Sequence, residues 1–412
     1  MKLSNFGRRF AGKTGTRTLM DDLGAVARAE RPVCNLGGGN PSAIPALQAR
    51  FRDRMSALLA SGEFDALITR YDDPQGHRPF LEAIAAYLNE TCGWDVSYRN
   101  IVTTAGSQAS FFMLFNLFAG AVEGSVRRIL FPCAPEYIGY SELGIEPGLL
   151  TSCPARIERI GAHRFKYHVD FDRLDIGPDI GAICVSRPAN PTGNVLTDDE
   201  LEQLVARARQ ADVPLIIDGA YGLPFPGIVF TPATPVWNER LIVCLSLSKL
   251  GLPGLRTGIV VASEDVVQIL TSFNATLMLS NNPLASALVV DLLASGELRT
   301  LCAELVRPFY ADRAERALAW CEEFFTGFDY RIHCAEGAIF LWLWFPDLPI
   351  PAAVLYERLK ARGVLVIPGH HFAPGLDTGW PHVHQCLRVS YAQDPASVRK
   401  GLQIIAEEVR GA

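Results

Sequence analysis

Nowhere does this sequence run to the ~20 consecutive apolar residues that a bilayer span requires; apolar stretches such as residues 339–345 stop far short. It has no pair of cysteines in CxxC spacing, which removes the usual framework of a structural zinc site. A basic stripe is also missing: 38 Lys and Arg are mixed along the chain with 44 Asp and Glu, for a net charge of -6, and nucleic acid is not an expected partner. Low-complexity stretches are absent, which argues against a disordered binding partner. The first twenty residues are rich in Lys, Arg, Gly and Thr and lack the apolar core of a secretory signal, so a cytoplasmic protein is expected. Ten cysteines are present, but they lie far apart and mostly inside apolar runs, the setting of free core thiols.

What is there suits an ordered chain of 412 residues, 49% hydrophobic, long enough for two packed units. From about residue 103 to 261, short apolar runs alternate with amphipathic stretches. That alternation predicts an α/β fold with a mostly parallel central sheet covered on both faces. Strands are expected at residues 128–131, 181–186, 214–218, 241–245 and 258–261. Thr197, with Glu200 three residues on, forms a capping box that starts a helix and leaves Asn190 in the preceding loop. A long helical stretch over 297–325 and strands near 338–344, 364–367 and 386–390 would build a smaller α+β domain. The expected division is therefore 46–285 as a large domain, with 1–45 and 286–412 as the small one.

In open α/β sheets the ligand crevice lies beyond the carboxyl ends of the strands. Three such ends carry chemistry here. Lys249 follows Ser246 and Ser248 just past one strand, and Arg256 follows seven residues later among glycines. This suits an amine nucleophile beside an anion site formed by hydroxyls and a guanidinium. Asp218 emerges from an apolar strand, where an ionised carboxylate calls for a cation such as a protonated ring nitrogen. Tyr221 and Asn190 can hydrogen-bond a ring oxygen, and Gly106, Ser107 and Gln108 open a helix whose N–H groups can take a phosphate. An aldehyde for the lysine, a basic ring nitrogen for the aspartate and a phosphate together describe pyridoxal 5'-phosphate (PLP). Tyr137 is either a ring that stacks on the cofactor or an ordinary buried aromatic. Arg388, within an apolar strand, fits a substrate carboxylate, or else an internal acid. The histidines at 370, 371, 382 and 384 match no metal-ligand spacing, and no metal is expected.

The ordered set Asn190-Pro191-Thr192-Gly193, Asp218-x-x-Tyr221, Ser246-x-Ser248-Lys249, Arg256 and Arg388 resembles the fold-type I, or aspartate aminotransferase-like, PLP-dependent aminotransferases. Residues 36–41, 71–76, 134–140, 336–344 and 368–370 extend the likeness over nearly the whole chain, toward the valine-pyruvate aminotransferases. The resemblance implies a Schiff base between Lys249 and PLP, and amino-group exchange between a small aliphatic amino acid and a 2-oxo acid such as pyruvate. It also implies a homodimer with shared active sites, in which Tyr71 reaches the partner's cofactor phosphate and Gly38 lines the substrate pocket. Three positions depart from the family pattern: Ala105, Gly219 and the stretch 279–283 with Asn281 and Asn282. The last two suggest more room or polarity beside the cofactor, which leaves room for an alternative: elimination, replacement or carbon-carbon bond formation on the same scaffold. A PLP-binding regulator without turnover is a third reading, disfavoured because the full catalytic set is present.

Overall fold

The lengths of the connections between apolar strands decide how those strands run. In the computed structural model, which describes residues 2–11, 17, 20–21, 24, 33–376 and 379–412, the chain packs as two compact units. One comprises Met1–Gly39, Phe118–Leu196 and Tyr310–Ala412; the other comprises Asn40–Leu117 and Thr197–Phe309. This division crosses the expected 46–285 segment, and strand pairing gives the reason. The strand Arg164–His168 lies parallel to Arg331–His333, with Ile332 opposite Arg164, so the middle of the chain joins the sheet of the C-terminal strands.

In the unit of residues 40–117 and 197–309, four strands lie in the order Ile101–Thr104, Gly258–Val261, Leu241–Ser246, Leu215–Asp218. The last two are parallel, joined by a connection long enough to cross over. Between Ser246 and Gly258, however, the chain makes only a tight return containing the short 3-10 turn Pro253–Leu255, so Gly258–Val261 runs antiparallel to both its neighbours. That return brings Lys249 and Arg256 to one end of the sheet. The helix Asp198–Gln210 starts as its sequence predicts: Thr197 Oγ1 accepts from Glu200 N at 3.1 Å, and Thr197 N donates to Glu200 Oε2 at 2.9 Å.

In the other unit, Ser125–Ala134 runs parallel to Ile180–Ser186 and to Leu150–Pro154, with Gly120–Val122 antiparallel at its start. A six-stranded sheet follows the order Ile367–Pro368, Cys386–Ser390, Phe340–Trp344, Arg331–His333, Arg164–His168, Arg156–Ile160. The helix Pro395–Arg410 packs through Gly401 against Leu36, next to the strand Cys34–Asn35; a Cβ at Gly401 would come within 2.4 Å of Leu36 Cδ1. The helical stretch expected over 297–325 is found, with a π-helical turn, Cys302–Val306, set inside it between Glu297–Leu301 and Arg307–Phe324. Pro308 has no N–H for the carbonyl of Glu304, so the regular i to i−4 ladder cannot pass through.

Candidate active site

Parallel pairing of Leu215–Asp218 with Leu241–Ser246 puts both carboxyl ends on the same side, with Asp218 opposite Cys244. Asp218 Oδ1 accepts from Ala220 N at 2.9 Å, which aims the carboxylate along the turn leaving the strand. Burial, followed by the Asp218 charge, holds the Cys244 thiol well above its ordinary pKa. Tyr221, one turn further, is buried, and Lys249 Nζ lies 5.2 Å from the centre of its ring. The two residues named for the cofactor's ring and the one named for its aldehyde are thus on adjoining strand ends.

The phosphate donors converge on a gap that a methyl group would fill. Gly106 has φ +89°, and a Cβ there would stand 2.3 Å from Arg256 Nη2. A Cβ at Gly258 would meet Thr104 Oγ1 at 2.6 Å and Ser107 N at 2.7 Å. Ser248 Oγ accepts from Arg256 Nη1 at 3.5 Å, and Ser246 Oγ accepts from Ser248 N at 3.1 Å. Ser107 starts the helix Ser107–Phe118 and its Oγ donates to Leu245 O at 3.5 Å, with Gln108 next on the same turn. Arg256 itself holds φ +51°, a left-handed conformation that costs a side-chain-bearing residue roughly 1–2 kcal/mol. Hydroxyls, a guanidinium and helix N–H groups around two obligatory glycines have the donor chemistry of a phosphate cradle. These residues fit the phosphate of PLP.

Two of the departures noted in the sequence have packing explanations. A Cβ at Gly219 would come 3.1 Å from Leu245 Cδ2 and 3.3 Å from Cys244 O, so the small residue lets the two strand ends approach. Asn281 Nδ2 donates to Thr103 O at 2.8 Å, joined there by Asn274 Nδ2 at 2.8 Å, and Asn282 Oδ1 accepts from Leu284 N at 3.0 Å. These side chains tie down a strand end and a helix start. Tyr71 is 81% exposed and lines a cleft of about 490 Å³ with Arg70, Asp72, His77 and Pro283 among others.

In the other unit, Arg388 is 2% exposed on Cys386–Ser390. Its Nη1 donates to Asn190 Oδ1 at 2.7 Å and its Nη2 to Gly37 O at 2.6 Å. The guanidinium carbon lies 4.1 Å from the centre of the Phe340 ring and 5.0 Å from that of Phe372. Two neutral oxygens and an aromatic floor therefore fix the plane of a buried cation. At the neighbouring Gly38, expected to line the substrate pocket, a Cβ would find only ordinary contacts, the nearest 3.6 Å from Asn35 Oδ1. Tyr137 is half-buried and edge-on to Tyr140 at 5.3 Å, and Tyr140 in turn stacks on Phe131. Glu136, which sequence reasoning passed over, accepts from Ser186 N at 3.0 Å and Ser186 Oγ at 2.5 Å. Its only signal was its place in the quoted motif. Among the described residues no group of three or more His, Cys, Asp or Glu is placed to hold a metal ion, and all ten cysteines are free.

An amine beside a carboxylate at paired strand ends, with a phosphate cradle built on glycines, defines the class: a PLP-dependent enzyme. The family model of aminotransferase class I and II matches residues 35–405. Valine-pyruvate aminotransferase of Escherichia coli (strain K12) is 46% identical over 413 residues, covering 100% of this chain and 99% of that protein. The crystal structure of valine-pyruvate aminotransferase from Salmonella typhimurium LT2 matches at a TM-score of 0.89 and 46% identity, over 96% of this chain and 98% of that one. Aspartate aminotransferase from Thermus thermophilus matches at a TM-score of 0.81 with 20% identity, over 99% and 100% of the two chains, a likeness of fold. The chain belongs to the class I and II aminotransferases, and has their aspartate aminotransferase-like α/β fold and their PLP dependence.

Proposed function

We propose that this aminotransferase moves an amino group between a small aliphatic amino acid of the valine type and pyruvate. The observation that carries the substrate assignment is the 46% identity, over the full chain, to an enzyme whose name holds both substrates. Bound PLP supplies an electrophilic aldehyde and a cationic ring that accepts the electron pair left when a C–H bond breaks. The protein's residues do the rest. Lys249 would hold the cofactor through its amine, and the same Nζ, once free, would be the base that takes the proton from the substrate α-carbon and gives it back. Asp218 would keep the ring nitrogen protonated, and Tyr221 and Asn190 would donate to the ring oxygen. Gly106, Ser107, Gln108, Ser246, Ser248 and Arg256 would take the phosphate, Tyr137 would stack on the ring, and Arg388 would take the α-carboxylate with Gly38 lining the pocket.

We further propose a cytoplasmic homodimer with shared sites, in which exposed Tyr71 serves the phosphate of the partner subunit. The functional division into a cofactor-binding segment 46–285 and a smaller one from 1–45 and 286–412 belongs to the same proposal. No comparison supports elimination, replacement or carbon-carbon bond formation. Steady-state rates with L-valine and pyruvate varied together test the assignment: alanine should form with parallel double-reciprocal lines, the pattern of two half-reactions. Absence of alanine, or intersecting lines, would contradict it.

A further inference from the structure

The loop that carries Asn190 is held from behind by a buried cation that the reaction does not use. Lys166, on Arg164–His168, is 8% exposed. Its Nζ donates to Asn194 Oδ1 at 3.1 Å, to Val195 O at 3.0 Å and to Glu336 Oε2 at 2.5 Å. The same Glu336 oxygen accepts from Val195 N at 2.9 Å. All three donors of the ammonium are therefore used, two on the far side of the Asn190 loop and one on the turn before Phe340–Trp344. Loop and turn also touch directly: a Cβ at Gly193, where φ is +74°, would stand 2.7 Å from Gly337 O. The loop closes on itself through Ala189 N to Asn194 O at 2.8 Å and Asn194 N to Thr192 Oγ1 at 3.1 Å.

The same two segments meet again at Arg388. Asn190 accepts from its Nη1, and Phe340 lies under its guanidinium. We propose that Lys166 and Glu336 are positioning residues for this carboxylate clamp: their ion pair locks loop and turn together and so sets the plane of the Arg388 guanidinium. A buried ion pair is weak support for stability, since its desolvation cost offsets its Coulombic gain, but a fully hydrogen-bonded one can specify a single arrangement. The inference rests on the reading of Arg388 as the residue that takes the substrate carboxylate.

Calorimetric binding to the holoenzyme of two probes tests it: 3-methylbutanoate, a carboxylate without the amine, and 2-methylpropylamine, the amine without the carboxylate. Lys166→Met and Glu336→Gln should each weaken the carboxylate about tenfold or more, because small misplacements by remote residues carry effects of that size, while leaving the amine unchanged. The double variant Lys166→Met/Glu336→Leu, with no unpaired charge, should recover melting temperature without recovering carboxylate affinity. Wild-type carboxylate affinity in either folded single variant, or its recovery in the double variant, would overturn the positioning role. If Lys166→Met does not fold, Glu336→Gln and the double variant decide. If Arg388→Ala keeps wild-type affinity for 3-methylbutanoate, the clamp reading itself fails, and the role of Lys166 with it.

Discussion

Gly106 shows how much can hang on a missing side chain. With φ at +89° and Arg256 Nη2 only 2.3 Å from where a Cβ would be, Gly106→Ala strains the backbone and pushes the guanidinium aside. PLP affinity of the apoenzyme should fall about tenfold or more, a change of roughly 1.4 kcal/mol or greater, by fluorescence titration; an unchanged Kd would remove Arg256 from the phosphate site. Residues of this kind were legible in the sequence. Lys249, Asp218, Arg256 and Gly106 stand at strand or helix ends, where charge beside glycine has few structural uses. Lys166 was not, because its meaning depends on Glu336, 170 positions away, and a lysine in an alternating polar stretch reads as a surface residue. Gly219 was read as extra room, and the structure adds that a Cβ there would crowd Leu245 and Cys244 O.

Among the elements, most apolar strands were found nearly at their expected bounds, but the one expected at 128–131 runs over Ser125–Ala134, and that at 364–367 splits into Val364–Leu365, paired with Cys34–Asn35, and Ile367–Pro368 in the six-stranded sheet. The pair Arg156–Ile160 and Arg164–His168 was not expected, because alternation of charged and apolar residues gives a weak signal beside the continuous runs of the central strands. Two buried histidines, His333 and His382, pack against Phe165 and Tyr167 of that hairpin. Burial holds His333 and His382 each down to about 3, from an ordinary value of 6.5. His333 takes a hydrogen bond from Tyr167 N at 3.1 Å, and His382 is joined to Tyr167 Oη at 2.5 Å. The folded state thus favours the neutral rings more than the unfolded state does. Their contribution to stability is complete above pH 6.5 and is lost progressively as pH falls from there toward 3. The melting temperature should drop between pH 6.5 and 4.5, and the pH slope should be shallower in His382→Gln. An equal slope in that variant would show that His382 is not one of the groups responsible.

At the scale of the whole molecule, the family and its cofactor were legible because their motifs are spread over most of the chain in fixed order. The compact units depend on which distant strands pair, which no local pattern in the sequence states. The proposed assembly has its own test: mixed subunits of Tyr71→Ala and Lys249→Ala, each feeble alone, should regain activity on dissociation and reassociation if one site draws on both chains. No recovery on verified mixing would contradict shared sites.

Both halves of the amino-group exchange run through Lys249. The most direct measurement adds stoichiometric L-valine to the holoenzyme with no 2-oxo acid and follows the cofactor's absorbance. The lysine-bound band should convert to that of the aminated cofactor, with release of one 2-oxo acid per site and reversal on adding pyruvate, none of it in Lys249→Ala. A band that does not convert, or full conversion in Lys249→Ala at the wild-type rate, would contradict it.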